Sequence, residues 1–280
     1  MLTRHVALVS EESSIDMSEL SAVAAALQKQ VTRDFSPLWR IDADVAAYAS
    51  LEQVPLDYWP VVIMDDIGDP SAAGYHEDQH GQPFALVQYS DGWTLTASHE
   101  TLEMLGDPFG RRLVAGQSPK AGQGRVRFLV EVCDPSEAEE YAYSINGISV
   151  SDFYTPHFFD PVTASGVRYS YTGAITEPRQ VLRGGYLSWY DPATRSWYQR
   201  TWFGSEPQDK QLKALKIENG NIRAALDRLT EGDRARAMKR TGKKATRAGL
   251  TAMPGKQDAA FAGNAADLRA QIAQIKKTKG

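Results

Sequence analysis

Residues 93–110, "WTLTASHETLEMLGDPFG", decide how this chain reads. Leu95, Leu102 and Leu105 recur at helical spacing and give the stretch a core-facing side, with Asp91 standing where an N-cap belongs. Gly106 offers a left-handed C′ position, and Pro108 two residues on cannot continue the turn, so the predicted helix has a legible end. On that helix His99 and Glu103 are four residues apart and share a face, while Glu100 lies about 100° round from His99. A helix of this kind gives two ligands to one cation and keeps a carboxylate beside it to take a proton from activated water. One imidazole and two carboxylates suit Zn²⁺, and a carboxylate in place of a second imidazole also admits Mn²⁺ or Fe²⁺.

Working outward, "HVALVS" (5–10) reads as a strand and "MSELSAVAAALQKQVTRDFSPLW" (17–39) as a helix with Ser or Asp caps at its start. "DADVAAYAS" (42–50) and "YWPVVIMDD" (58–66) read as strands, and "AAGYHEDQHGQPFALVQYS" (72–90) as two more around a His80-Gly81 turn. Beyond the central helix, "GRVRFLVEVCDP" (124–135) is a strand running into a loop. "AYSINGISVSDFYTPHFF" (142–159) reads as a hairpin through Asn146-Gly147, and "GGYLSWYDPATRSWYQRTWF" (184–203) as a second one turning at Asp191-Pro192. "PQDKQLKALKIENGNIRAALDRL" (207–229) and "AADLRAQIAQIKK" (265–277) read as helices separated by the connector "KRTGKKATRAGLTAMPGKQ" (239–257). The expected class is α+β, with a mixed sheet and one central helix followed by hairpins and a helical tail.

A chain of 280 residues, 42% of them hydrophobic, can bury a large core. The opening apolar run ends at once in Ser and Glu, so neither a signal peptide nor a membrane span is expected, and the protein is expected to be cytoplasmic. Cys133 is the one cysteine, which excludes an internal disulfide and every multi-cysteine zinc site, so any metal must be held by His, Asp and Glu. Charge is uneven: of 31 Lys and Arg and 35 Asp and Glu, residues 205–280 hold 17 and 8. The expected division is an acidic metal-binding body over 1–204 and a basic helical tail, partly flexible, over 205–280.

"SHETLEMLG" (98–106) resembles the HExxH helix of the zincin metallopeptidases with Glu103 in place of the second histidine, and Gly106 matches the glycine of the longer metzincin form. Over roughly residues 95–160 the chain also resembles plant phosphate-induced, or Exordium-like, proteins and uncharacterised bacterial and phage-associated proteins. The residues that carry this are His99, Glu100, Glu103, Asp107 and Pro108, then "EVCDP" (131–135), then "VSDFYTPHFF" (150–159). The resemblance implies a zincin-like, metal-bearing fold whose edge strand, here "PFALVQY" (83–89), pairs with an extended peptide substrate. The metzincin third-ligand position holds Phe109, which cannot bind a metal. Glu131, at the end of an apolar strand, is the preferred third ligand, as the distant glutamate is in gluzincins; Asp107, Asp134 and His157 are the alternatives.

Other residues carry weaker signals. His76 and His80, with Glu77 and Asp78 between them, read as a solvated hairpin tip rather than a second ion site. Tyr154, Tyr141 and Tyr143 are candidates for stabilising an oxyanion. Cys133 reads as a buried thiol and the aromatic hairpin as cross-strand packing. "RARAMKRTGKKATR" (234–247) lacks interleaved aromatics, which favours a solvated linker or an arm for an acidic protein partner over nucleic acid. The function expected is zinc-dependent hydrolysis of peptide bonds, with His99, Glu103 and Glu131 on the metal and Glu100 as general base. The alternative is a zincin-like scaffold without catalysis, its metal structural or absent, acting in a phage or secretion-related assembly.

Overall fold

The structure is a computed structural model and describes residues 3–217, 220–230 and 259–279. Its first sheet contains β1 (Arg4–Ser10), β2 (Ala43–Tyr48), β3 (Tyr58–Met64), β4 (Gly74–Gln79) and β5 (Gln82–Gln88) in the order β2-β1-β3-β5-β4. Pairing is parallel from β2 through β5, and β4 runs antiparallel at one edge. The continuous apolar runs of β1, β3 and β5 are what strands buried on both faces require.

Helix α1 (Met17–Lys29) starts at Asp16, whose Oδ1 accepts the N–H groups of Ser18 and Glu19 at 2.8 Å each. The helical path continues through a π-helical turn (Gln30–Phe35) into α2 (Ser36–Trp39). It packs with α3 (Trp93–Gly106) on one face of the sheet, where Val6, Leu8, Val61 and Ile63 meet Leu27, Phe35, Ala97 and Leu102. The alternate residues Ala7, Val9, Val62 and Leu86 face the other way and are covered by Leu268, Ile272 and Ile275 of α5 (Ala259–Lys279).

The second sheet is antiparallel throughout. It comprises β6 (Leu113–Gln117), β7 (Arg125–Leu129), β10 (Tyr186–Asp191), β11 (Ser196–Thr201) and β12 (Gln208–Gln211), in the order β12-β11-β10-β7-β6. Between β7 and β10 lies the hairpin of β8 (Tyr143–Ile145) and β9 (Ile148–Val150), turned by Asn146 and Gly147 with φ of 53° and 84°. Trp189 stacks on Tyr198 across β10 and β11, so the aromatic hairpin is indeed cross-strand packing. The molecule is α+β, and among the described residues no helix is long and apolar enough to cross a membrane.

Several local expectations need correction. The edge strand is β4, not "PFALVQY": that run is β5 and lies between β3 and β4 because its apolar residues need cover on both faces. The residue before α3 is Gly92, with no side-chain cap, rather than Asp91. Gly106 does not take the left-handed conformation but is the helix's last residue, packed so that a Cβ would sit 3.2 Å from Val132 Cγ1. Asp107 ends the helix instead, its Oδ2 accepting the Arg112 N–H at 2.7 Å.

The stretch 207–229 is not one helix. It pairs as β12, runs extended, and becomes helical only over residues 222–230, here α4. Gly220 at φ 76° turns the chain, and Asn221 Oδ1 accepts the Ala224 N–H at 2.9 Å, which fixes the start. The change of composition at 205 coincides with no break in packing, since β12, α4 and α5 all lie on the body. The basic stretches 234–247 and 239–257 lie outside the described residues.

Candidate metal centre

Close passage of Gly106 against Val132 brings the extended segment 130–132 alongside α3, and with it Glu131, Cys133 and Asp134. On the other side, Gly74 of β4 leaves room for α3: a Cβ there would sit 2.6 Å from Thr96 Cγ2 and 3.0 Å from Glu100 Cγ. Two glycines therefore let β4 and the segment that follows β7 close on one helix. His99 and Glu103, one turn apart, are trapped between them.

His99 Nε2 lies 3.3 Å from Glu103 Oε1 and 3.3 Å from Asp134 Oδ1. Glu103 Oε1 also accepts the Cys133 N–H at 3.2 Å, and Glu103, Glu131 and Asp134 each bring a carboxylate oxygen within 4.8 Å of the other two. The second oxygen of Glu103 faces a different set of groups. His76 Nδ1, on β4, is 3.9 Å from it and 3.4 Å from Glu100 Oε2, while His76 Nε2 donates to the Asp107 carbonyl at 3.1 Å. Arg223 enters from α4. Its Nε donates to Glu131 Oε2 at 2.7 Å and its Nη1 to the His76 carbonyl at 3.0 Å, with Nη2 3.5 Å from Glu103 Oε2 and 3.6 Å from Glu100 Oε2.

Four acids this close cannot all ionise in a buried site. Burial pushes the Asp134 carboxyl up to about 7, with Glu103 adding to the rise, and burial likewise raises Glu131 against the pull of Arg223. Burial acts on Glu103 too, but His99 and Arg223 outweigh it and hold this carboxyl below its ordinary value. Burial disfavours a charged His99, yet Glu103 above all raises its pKa. Arg223 stays a cation because Glu131, Asp227, Glu100 and Glu103 overcome the cost of burying it.

The residues fit a divalent cation. Glu100 Oε2, Glu103 Oε2, Glu131 Oε1, both Asp134 oxygens and His76 Nδ1 are buried without a hydrogen-bond partner, a concentration of orphaned acceptors that a cation would satisfy. Tyr154 adds a donor at the same place: its hydroxyl is buried and without a hydrogen-bond partner, its pKa raised by burial and then by Glu131, Glu103 and Asp134.

The structure thus brings together His99, Glu100, Glu103, Glu131 and Asp134. It does not bring in the side chain of Asp107, which holds Arg112, or His157, which is exposed and paired with Asp160 at 2.8 Å. Tyr143 is turned away toward Asp34, and Cys133 is a fully buried thiol. Only His80 sits at the exposed hairpin tip; His76, grouped with it from the sequence, is wholly buried and belongs to the centre. Its signal was its place in an edge strand just ahead of the helix.

Arg223 was missed as well. It shares a helix face with Leu226 and Thr230, both buried, and an arginine on an apolar stripe is the trace a buried partner leaves.

No protein-family model, no curated protein and no solved structure matches this chain. The centre itself is therefore the ground for a functional reading.

Proposed function

We propose that the protein is a metal-dependent hydrolase of peptide bonds with a zincin-like centre. The observation that carries this is His99 Nε2 at 3.3 Å from both Glu103 Oε1 and Asp134 Oδ1, beside the buried oxygens Glu131 Oε1 and Asp134 Oδ2, which have no hydrogen-bond partner. His99 and Glu103 would hold Zn²⁺, with Mn²⁺ or Fe²⁺ less suited. Glu131 and Asp134 supply the remaining ligands, and the distances favour Asp134 as the one beside His99. A bound divalent cation would supply Lewis acidity, polarising a carbonyl and acidifying water.

The chain's own groups then do the rest. Glu100, next to the ligand pair on α3, accepts the proton of the attacking water and passes it to the leaving amine. The Tyr154 hydroxyl donates to the oxygen on which charge develops. β4 is the edge strand of the first sheet, where an extended substrate would add as a strand beside the His76 carbonyl that Arg223 already holds, and this is why a peptide is the favoured substrate class. The single buried Cys133 suits a reducing, cytoplasmic setting.

Elemental analysis of full-length protein, purified without chelator, tests the reading beside His99→Ala and Glu103→Ala. One equivalent of zinc, lost in both variants while the fold persists, is expected; no metal after dialysis against zinc would overturn it. A second reading, a scaffold with a structural metal, is favoured by burial, since Glu100 is only 3% and Arg223 only 5% exposed. Glu100→Gln separates the two: it should retain zinc and lose peptidase activity in an enzyme, and change nothing in a scaffold.

A further inference from the structure

Glu103 divides the centre into two halves. Its Oε1 belongs with His99 and the Cys133 N–H; its Oε2 belongs with His76 Nδ1 and Glu100 Oε2. The second half has its own case for a cation. The Asp107 carbonyl can only accept, so His76 Nε2 carries a hydrogen there, and Nδ1 faces two carboxylate oxygens without a hydrogen-bond partner. Separations of 3.4 and 3.9 Å are too long for a proton to bridge by a good hydrogen bond. An imidazole nitrogen and two carboxylate oxygens that face one another, buried and without hydrogen-bond partners, with the ring fixed through its other nitrogen by a backbone carbonyl, are the arrangement of a metal ligand set.

The positive charge found there is a guanidinium. Arg223 Nη2 is 3.5 and 3.6 Å from the two carboxylate oxygens of this half, and Nε ties the group to Glu131. The arginine is held in place from outside the centre. The Ile222 and Arg223 N–H groups both donate to the Gly110 carbonyl, at 2.8 and 2.9 Å. Gly110 has φ of 57°, and a Cβ on it would collide with Asn221 Oδ1, the cap of α4. Leu226 and Ile222 seat the same helix on Leu129 and Leu113.

We infer that this is a two-cation pocket with one cation built into the chain: Arg223 fills the half formed by His76, Glu100 and Glu103 and limits the centre to one exchangeable metal ion. The inference rests on the metal-binding reading above and adds to it a role for α4, as the carrier of a fixed internal cation.

The test is Mn²⁺ stoichiometry and electron paramagnetic resonance on the full-length protein, Arg223→Ala, Arg223→Lys and Gly110→Ala. Parent and Arg223→Lys should bind one equivalent. Arg223→Ala should bind two, with the exchange-coupled spectrum of ions sharing the Glu103 carboxylate. Gly110→Ala, which displaces α4 while keeping every pocket side chain in the sequence, should do the same and covers the case in which Arg223→Ala does not fold. One equivalent of unchanged affinity in every protein would overturn the inference and leave the metal-binding reading standing. No metal in the parent but uptake by Arg223→Ala would overturn that reading and keep Arg223 as the resident cation, whereas no metal in any of them overturns both.

Discussion

Ser98 Oγ donates to Gln30 Oε1 at 2.8 Å, and both side chains are fully buried. The bond is one side of a closed ring: Gln30 Nε2 donates to the Ser151 carbonyl at 2.9 Å, and the Ser151 N–H donates back to Ser98 Oγ at 2.8 Å. Three separate elements meet there, the π-helical turn after α1, helix α3 and the segment leaving β9, one residue before His99. Ser98→Ala leaves Gln30 Oε1 and the Ser151 N–H unpaired inside the core, which should cost about 1–3 kcal/mol. Urea unfolding would register this as a lower midpoint at constant slope. A loss below about 0.5 kcal/mol would mean that the ring contributes no more than an ordinary surface position.

Zinc should stabilise the fold, because the centre joins α3 to a strand-and-loop segment that the metal would tie together. A ligand that binds only the native state at 100 times its Kd contributes about 2.7 kcal/mol. Thermal unfolding of chelator-treated protein, with and without added zinc, should therefore show a higher Tm with the metal. The increment should vanish in Glu103→Ala, whose side chain is shared by both halves of the pocket. Equal increments in parent and variant would place the zinc elsewhere on the surface.

How far this centre could be read from the sequence depends on chain separation. His99, Glu100 and Glu103 are legible because a helix repeats every turn, and the Asp16 cap and Asn146-Gly147 turn because a few adjacent residues decide them. Glu131 is legible because an acid ends an apolar strand. Arg223 meets Glu131 across 92 residues and the His76 carbonyl across 147, and no local pattern encodes such a meeting. The same limit explains Gly106: from its neighbours it reads as a helix terminator, and only the approach of Val132 shows that it is there for lack of a side chain. The 207–229 stretch misleads for a further reason. Its Leu and Lys composition suits a helix, yet hydrogen bonding to β11 takes its first residues into a sheet.

Asp34 gives the fold a dependence on acid. Its carboxylate accepts from Arg33 Nε at 2.5 Å, from the Tyr171 hydroxyl at 2.7 Å and from the Tyr143 hydroxyl at 2.9 Å. Burial raises its pKa, but these three donors outweigh that and the net shift is downward. A carboxyl whose folded pKa lies below its unfolded value contributes stability that is complete above the unfolded pKa, about 3.9, and is lost as pH falls through the folded one. Asp34→Asn should thus be less stable at pH 7 and lose less on acidification from pH 5 to pH 2. Parallel stability curves for the two proteins would remove Asp34 from the account of acid unfolding.

Helix α5 covers the face of the first sheet opposite α3, and its contribution should be one of packing. Leu268, Ile272 and Ile275 recur on one face and are buried against the alternate residues of β1, β3 and β5, which would otherwise present an apolar face of the sheet to water. Ile272→Ala should cost about 2–5 kcal/mol, as truncation of a buried aliphatic side chain does. Arg269, on the same helix, is 42% exposed and pairs with Glu11 at 2.9 Å and with Glu52. Exposed pairs contribute about 0–1 kcal/mol, so Arg269→Ala should be nearly silent in low salt and silent in high salt. The reverse order, a large charge effect and a small packing effect, would mean that α5 is steered onto the sheet by its ion pairs rather than held there by the core. In neither variant should zinc content change, because neither side chain touches α3, Arg223 or the segment that carries Glu131.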